Sequence, residues 1–167
     1  MAVTADLRVK FAARQTGAHD MGGPSFAPVV EKILQFGSGT TANNADIVWA
    51  DNRTLAASAT EDLDLAGVLA DAFGATVAMA EVVAILVVAA PTNTNDVVLG
   101  AATQAVPLFG GTAGTFAVKP GGFFFVAAPG AAGQLSVGAG ATDDLKVANS
   151  GAGTEVSYQI AILGRSA

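Results

Sequence analysis

His19 is the only histidine in the chain, so a Ser-His-Asp nucleophilic triad would have to be assembled around it. Its surroundings favour a plainer role. Asp20 is its immediate neighbour, residues 14–25 are rich in glycine and polar groups, and no Gly-x-Ser-x-Gly turn occurs to present a serine. The expectation is a loop histidine that makes a surface or subunit contact. A second group, Glu61, Asp62 and Asp64, has the residue types of a glycosidase carboxylate pair. In an extended segment, however, Asp62 and Asp64 share one face while Leu63 and Leu65 share the other, which reads as a solvated face above a buried one. Only one Trp and one Tyr, Trp49 and Tyr158, are present for stacking on a sugar.

Oxygen donors also collect at Thr92-Asn-Thr-Asn-Asp96 and Ala141-Thr-Asp-Asp144, where they could hold calcium. Neither follows the EF-hand spacing, and tight turns use the same residue types for backbone reasons. The glycine groups at Gly37-Ser-Gly39, Gly110-Gly111 and Gly138-Ala-Gly140 are not followed by Lys-Ser/Thr and open no helix, so they read as turns rather than phosphate loops. With no cysteine, thiolate catalysis, disulfides and Cys-ligated zinc are excluded. The residues point to no catalytic centre, no cofactor and no metal.

The segments that would position these groups read almost entirely as strands. Leu7, Val9 and Phe11 alternate with Asp6, Arg8 and Lys10, so residues 6–11 form an amphipathic strand. Further strands are predicted at 26–36, 47–49, 54–58, 63–65, 81–90, 97–101, 115–118, 123–128, 135–137, 144–148 and 155–163. Glu81 to Ala90 is apolar on both faces and belongs in the middle of a sheet. In the last strand, Val156, Tyr158, Ile160 and Ile162 face one way, and Ser157, Gln159, Ala161 and Leu163 the other. Residues 66–73 are the one helical stretch, ended by Gly74. Phe123-Phe-Phe125 places aromatic bulk on both faces of its strand, so Phe124 or its two neighbours face a second layer or a partner subunit. Short strands between Gly, Pro and Asn turns at about ten-residue spacing predict an all-β antiparallel sandwich or jelly-roll with at most one short helix. The expected division is an N-terminal arm and first strand, 1–25, followed by a sandwich domain, 26–167.

At 167 residues the chain is long enough for one domain with a substantial core. Charged residues make up only 13%, about half the usual share, so part of the surface is expected to be covered by partners. The net charge of −6 disfavours a general nucleic-acid binder. The apolar run from Val82 to Pro91 is about half of what a bilayer needs, and the N-terminus has no secretory pattern, so neither membrane insertion nor secretion is expected. Without secretion the sequon Asn52-Arg-Thr54 has no role.

Several stretches together resemble a known group. They are Ala5-Asp-Leu-Arg-Val-Lys-Phe11, Trp49-Ala-Asp-Asn-Arg-Thr-Leu-Ala56, Thr60-Glu-Asp-Leu-Asp-Leu-Ala-Gly67, Asn93-Thr-Asn95, Lys119-Pro-Gly-Gly122 and Asp144-Leu-Lys-Val-Ala-Asn149. The pattern is similar to small virion structural proteins of tailed bacteriophages. The resemblance implies a structural, non-enzymatic role in the particle, most directly as a capsid decoration or cement protein. It would be made in the host cytoplasm and would contact copies of itself, as dimer or trimer, and the major capsid protein. A tail or fibre component, or a glycan-binding module of the virion, is the alternative. The residues expected at capsid or subunit contacts are Leu7, Arg8, Val9, Lys10, Phe11, Arg14, His19 and Phe124.

Overall fold

The computed structural model describes residues 2–167, and these form two parts with different exposure. The first is an antiparallel ribbon. Strand β1 (Ala5–Ala12) pairs with β4 (Val29–Ser38) from Ala5 opposite Phe36 to Ala12 opposite Val29. The ladder continues through Ala13 N–H to Pro28 O and the short pair β2 (Gln15–Thr16) and β3 (Ser25–Phe26). It ends in a turn in which Gly22 N–H donates to His19 O. The division expected after residue 25 therefore falls near the far end of this ribbon. Residues 26–38 belong to the arm, because the partners of β1 lie there.

The second part is a sandwich. The chain enters it through β5 (Asn44–Ala45), which pairs parallel to the end of β4. It continues through β6 (Ile47–Leu55), β7 (Thr60–Asp64), β8 (Glu81–Ala89), β9 (Val97–Gly100), a 3₁₀ turn at Pro107–Phe109, β10 (Thr115–Val118), β11 (Phe123–Ala127), β12 (Leu135–Ser136), β13 (Asp144–Asn149) and β14 (Val156–Arg165). One sheet has the order β11-β8-β14-β6, with β12 added against β8, and the other has the order β10-β9-β13-β7. Apart from β9 and β10, successive main strands swap sheets. This is the pattern of an eight-stranded jelly-roll, the architecture that closes two Greek keys face to face. All-β, antiparallel architecture is what the turn spacing predicts.

The core lies between the two four-stranded layers. Val156, Tyr158, Ile160 and Ile162 are buried along β14, as their alternation requires, and meet Leu63, Leu99, Leu145 and Val147 of the other sheet in one apolar cluster. Strand β8 is central, flanked by β11 and β14. A bulge lies at its start. Opposite Leu163 and Gly164 the register skips Val83, which leaves the central cluster and joins a smaller one on the outer side of the sheet. Gly164 is required at this bulge, since a Cβ there would lie 2.5 Å from Met79 Sδ and 2.9 Å from Glu81 O.

Two expectations are corrected. Residues 66–73 form turns rather than a helix. Asp71 Oδ1 accepts the N–H groups of Phe73 and Ala75, both at 2.8 Å, and Val77 N–H donates to Leu69 O, so local side-chain bonds replace the helical ladder. Residues 47–49 and 54–55 belong to one strand, β6, running straight through Asp51-Asn52, and 56–58 lie in the turn that follows it. As a sheet edge, β6 tolerates polar residues that a central strand would not.

Candidate assembly surface

The arm is where the unusual surface concentrates. From Arg8 to Ile33 every residue but Pro28 is exposed. Among the described residues, seven of the thirteen large exposed apolar side chains belong to it: Val9, Phe11, Met21, Phe26, Val29, Val30 and Ile33. The alternation gives it two unlike faces. Ala5, Leu7, Val9 and Phe11 share one with Phe36, Leu34, Lys32 and Val30, so this face is apolar but for Lys32 opposite Val9. Asp6, Arg8 and Lys10 share the other with Glu31, Ile33 and Gln35.

At the base, the apolar face is used within the chain. Leu7 and Leu34 pack with Val83, Ala84, Leu163 and Ala127 on the outer side of the β11-β8-β14-β6 sheet, and Phe36 is buried there. Beyond this anchor the same face is bare, with Phe11 61% and Val30 67% exposed. The seven residues from Phe11 to Gly17 make an overhang of about 23 Å at about 3.3 Å per residue. The polar face is held by local pairs. Arg8 Nε and Nη2 donate to the two Asp6 oxygens at 3.0 and 2.8 Å, and Lys10 Nζ lies 3.8 Å from Glu31 Oε2. The Arg8 hydrogen bond holds the Asp6 carboxyl below the usual carboxylate range.

Seven of the eight expected contact residues sit on this ribbon. Leu7 anchors its base, Arg8, Val9, Lys10 and Phe11 follow along β1, Arg14 lies between β1 and β2, and His19 is at the tip. His19 Nδ1 accepts the Met21 N–H at 3.2 Å, a turn-forming bond. Phe124 is elsewhere. It is half-buried between the sheets, with ring centroids 5.6 Å from Phe109 and 5.2 Å from Phe116. Its neighbour Phe123 faces outward and is 65% exposed, so the parity of the Phe123-Phe-Phe125 run is settled by the Phe124–Val87 register.

The outer side of the β11-β8-β14-β6 sheet carries an apolar trough that sequence reasoning missed. One concavity of about 390 Å³ opens between Asp6–Lys10 of the arm and Leu86, Phe123 and Phe125. A second, of about 380 Å³, continues past Leu86 to Val88, Ala50 and Ala161, and is also lined by the polar Asp51, Asn52 and Gln159. Both share Leu86. The available signal was the outward set Ala84, Leu86, Val88 of a strand that is apolar on both faces.

The candidate chemical groups are dispersed. Glu61 points between the sheets, accepting hydrogen bonds from Tyr158 Oη and from Arg53. Burial first, and then the Glu61 hydrogen bond, push the Tyr158 phenol well above its ordinary range, while the Glu61 bond raises Arg53. Asp62 and Asp64 lie on the opposite, outward side beside Lys146 and Asp144. In the loop before β9, asparagines serve the backbone. Asn93 Nδ2 donates to Ser157 O at 2.9 Å and Asn93 Oδ1 accepts Ser157 N–H at 2.8 Å. Asn95 Nδ2 reaches Asn149 Oδ1 at 3.0 Å, and Asp96 Oδ2 accepts from Lys119 Nζ at 2.6 Å. Among the described residues no group of three or more His, Asp or Glu side chains is placed to hold a metal ion, and no helix is long and apolar enough to cross a membrane.

Asp144 faces Asp64 directly across the β13–β7 ladder. Desolvation, and then the charges of Asp143, Asp62 and Asp64, raise its carboxyl. The folded state therefore binds the proton more tightly than the unfolded chain, and stability falls as pH rises from the usual carboxylate range through the raised Asp144 value. Asp144→Asn is expected to stabilise the fold near neutral pH by about 0.2–1 kcal/mol, the scale of a directly opposed like-charge pair. It should also flatten that part of the profile. Urea unfolding at pH 4 and pH 7 would expose the error if the gain were equal at both.

The fold and its surfaces define an all-β jelly-roll domain with a projecting hairpin. Comparisons with known protein families, with curated proteins and with solved structures give no match.

Proposed function

We propose that this chain is a structural subunit of a tailed-phage virion, and specifically a decoration or cement protein of the head. The observation that supports this most is the arm. A lone two-stranded ribbon is marginal in water, and this one leaves Phe11, Phe26, Val29 and Val30 uncovered. Such a shape is suited to being covered by neighbours in an assembly. The jelly-roll supplies a rigid base, and the sequence resemblance to small tailed-phage virion proteins supplies the particle. Jelly-rolls also serve lectins and cupins, so the fold alone assigns no role.

A cement protein gains strength by repetition. Contacts near the usual ~800 Å² per partner become collectively tight when many symmetric sites are engaged at once. The glycan-binding alternative loses its expected stacking residues, because Trp49 is 5% and Tyr158 2% exposed, both inside the core.

The test is co-sedimentation of the purified protein with undecorated heads and, in parallel, with tail tubes, followed by imaging of the particles. Saturable binding to heads at a fixed ratio to the capsid subunit is the expected result. Binding to tail tubes alone, or to neither, would overturn the assignment.

A further inference from the structure

We infer that the distal half of the arm docks on a second copy of this chain, its apolar face seated in the trough on the outer side of the β11-β8-β14-β6 sheet. This names the partner of the surface described above and rests on the reading of the chain as an assembly subunit.

Three observations on the molecule select a second copy. The first is continuity. The proximal half of the same face, through Leu7 and Leu34, already packs on the outer side of that sheet within one chain. Phe11 and Val30 continue the face by the same alternation, and the trough past Leu86 continues the sheet surface by the same pleat. The matching chemistry is therefore shown at the base and left unused further out.

The second observation is charge. Residues 5–38 hold four basic side chains, Arg8, Lys10, Arg14 and Lys32, against three acidic ones, for a net +1. The rest of the chain holds four basic and eleven acidic, a net −7. Two bodies repel each other, whereas an arm approaching another body does not. The arm is thus the part of the molecule best suited to approach another copy.

The third is area. An overhang about 23 Å long and about 10 Å wide, two strands at about 4.8 Å spacing, covers a footprint of about 230 Å² on one face. One such contact is small beside the ~800 Å² per partner of a stable interface. Exchange in both directions, or around a closed ring, multiplies it, and symmetric closure is the usual arrangement of homo-oligomers.

The experiment uses the protein alone, without capsids. Sedimentation velocity over a wide concentration range is compared for the native chain and for Phe11→Ser combined with Val30→Ser, both exposed positions whose replacement leaves the core intact. The native chain is expected to self-associate, and the variant to do so about tenfold more weakly or less, the scale of one buried aromatic side chain lost. Because the chain has no cysteine, single thiols report proximity cleanly. Phe11→Cys mixed with Phe123→Cys should yield, under mild oxidation, a disulfide-linked peptide joining the two introduced thiols. Its yield should stand well above that from Phe11→Cys mixed with Ala152→Cys. A native chain that stays monomeric, self-association indifferent to the two serines, or equal cross-linking to both thiols would each overturn the inference. A monomer that still binds heads would remove this inference and leave the functional proposal standing. An arm-dependent oligomer that ignores heads would do the reverse.

Discussion

Arg165→Met is expected to lower the unfolding free energy by about 3–5 kcal/mol, the usual cost of removing one member of a buried ion pair. Arg165 is 0% exposed. Its Nη1 lies 2.9 Å from Glu81 Oε2 and donates to Ala131 O at 2.8 Å, while Nη2 donates to Gly130 O at 2.5 Å. One guanidinium therefore joins the end of β14, the start of β8 and the loop after β11. Arg165 and Glu81 are cross-strand partners just past the bulge, so the pair also holds the register where it shifts. Methionine keeps most of the volume but strands a carboxylate and two carbonyls. Adding Glu81→Gln removes the orphan charge and should recover a large part of the loss. Urea unfolding followed by the fluorescence of Trp49, the only tryptophan, measures both. A single-variant cost below about 1 kcal/mol would show that the pair is no better than a surface one.

Asn149→Ala is expected to cost about 1–3 kcal/mol, because the buried Leu55 carbonyl and several part-buried groups lose their partner together. Asn149 Nδ2 donates to Thr154 O at 2.8 Å, Ala56 O at 3.0 Å and Leu55 O at 3.4 Å. Its Oδ1 accepts from Asn95 Nδ2 at 3.0 Å and Gly151 N–H at 3.2 Å. The amide ties β13 to the end of β6, the loop before β9 and the turn before β14. Asn149→Asp separates the amide's roles, since it keeps an acceptor and turns the donor end into a second oxygen facing three carbonyls. Such a carboxyl is held protonated in the folded state, so it binds its proton more tightly there than in the unfolded chain. Stability of the Asn149→Asp variant should then fall as pH rises through the carboxylate range and beyond. A flat pH profile in that variant, measured against the native protein, would refute this account of the site.

Both predictions concern residues that sequence reasoning passed over, for a physical reason. Arg165 follows an apolar strand at the end of the chain, and Asn149 sits beside a glycine turn. Each has the local look of a solvated terminus. What encloses them is remote: Glu81 for one, Ala56 and Asn95 for the other. Burial of a polar group depends on partners that local periodicity does not contain.

The helix expected over 66–73 failed for a related reason. Its alanines favour a helix, but Gly67 and Val68 do not, and Asp71 supplies competing bonds to nearby N–H groups. Asp51-Asn52 looked like a break because polar residues are scarce in central strands, yet β6 is an edge. The strand at 26–36 fell on the sandwich side of the division expected after residue 25. In the fold its partner is β1, and most of its apolar content faces outward.

Order within the chain determined much on its own. Alternation set the buried faces of β7, β13 and β14, the unbroken apolar run made β8 central, and glycine and asparagine turns gave an all-β, antiparallel class. These are consequences of a two-residue pleat and of backbone angles, which act over a few residues. Only the tertiary structure decided that the strands alternate between sheets as a jelly-roll, that β4 joins the arm rather than the body, and that Phe123 rather than Phe124 faces outward. Each of those outcomes depends on which distant strand pairs with which, and a strand presents the same hydrogen-bonding groups to every possible neighbour.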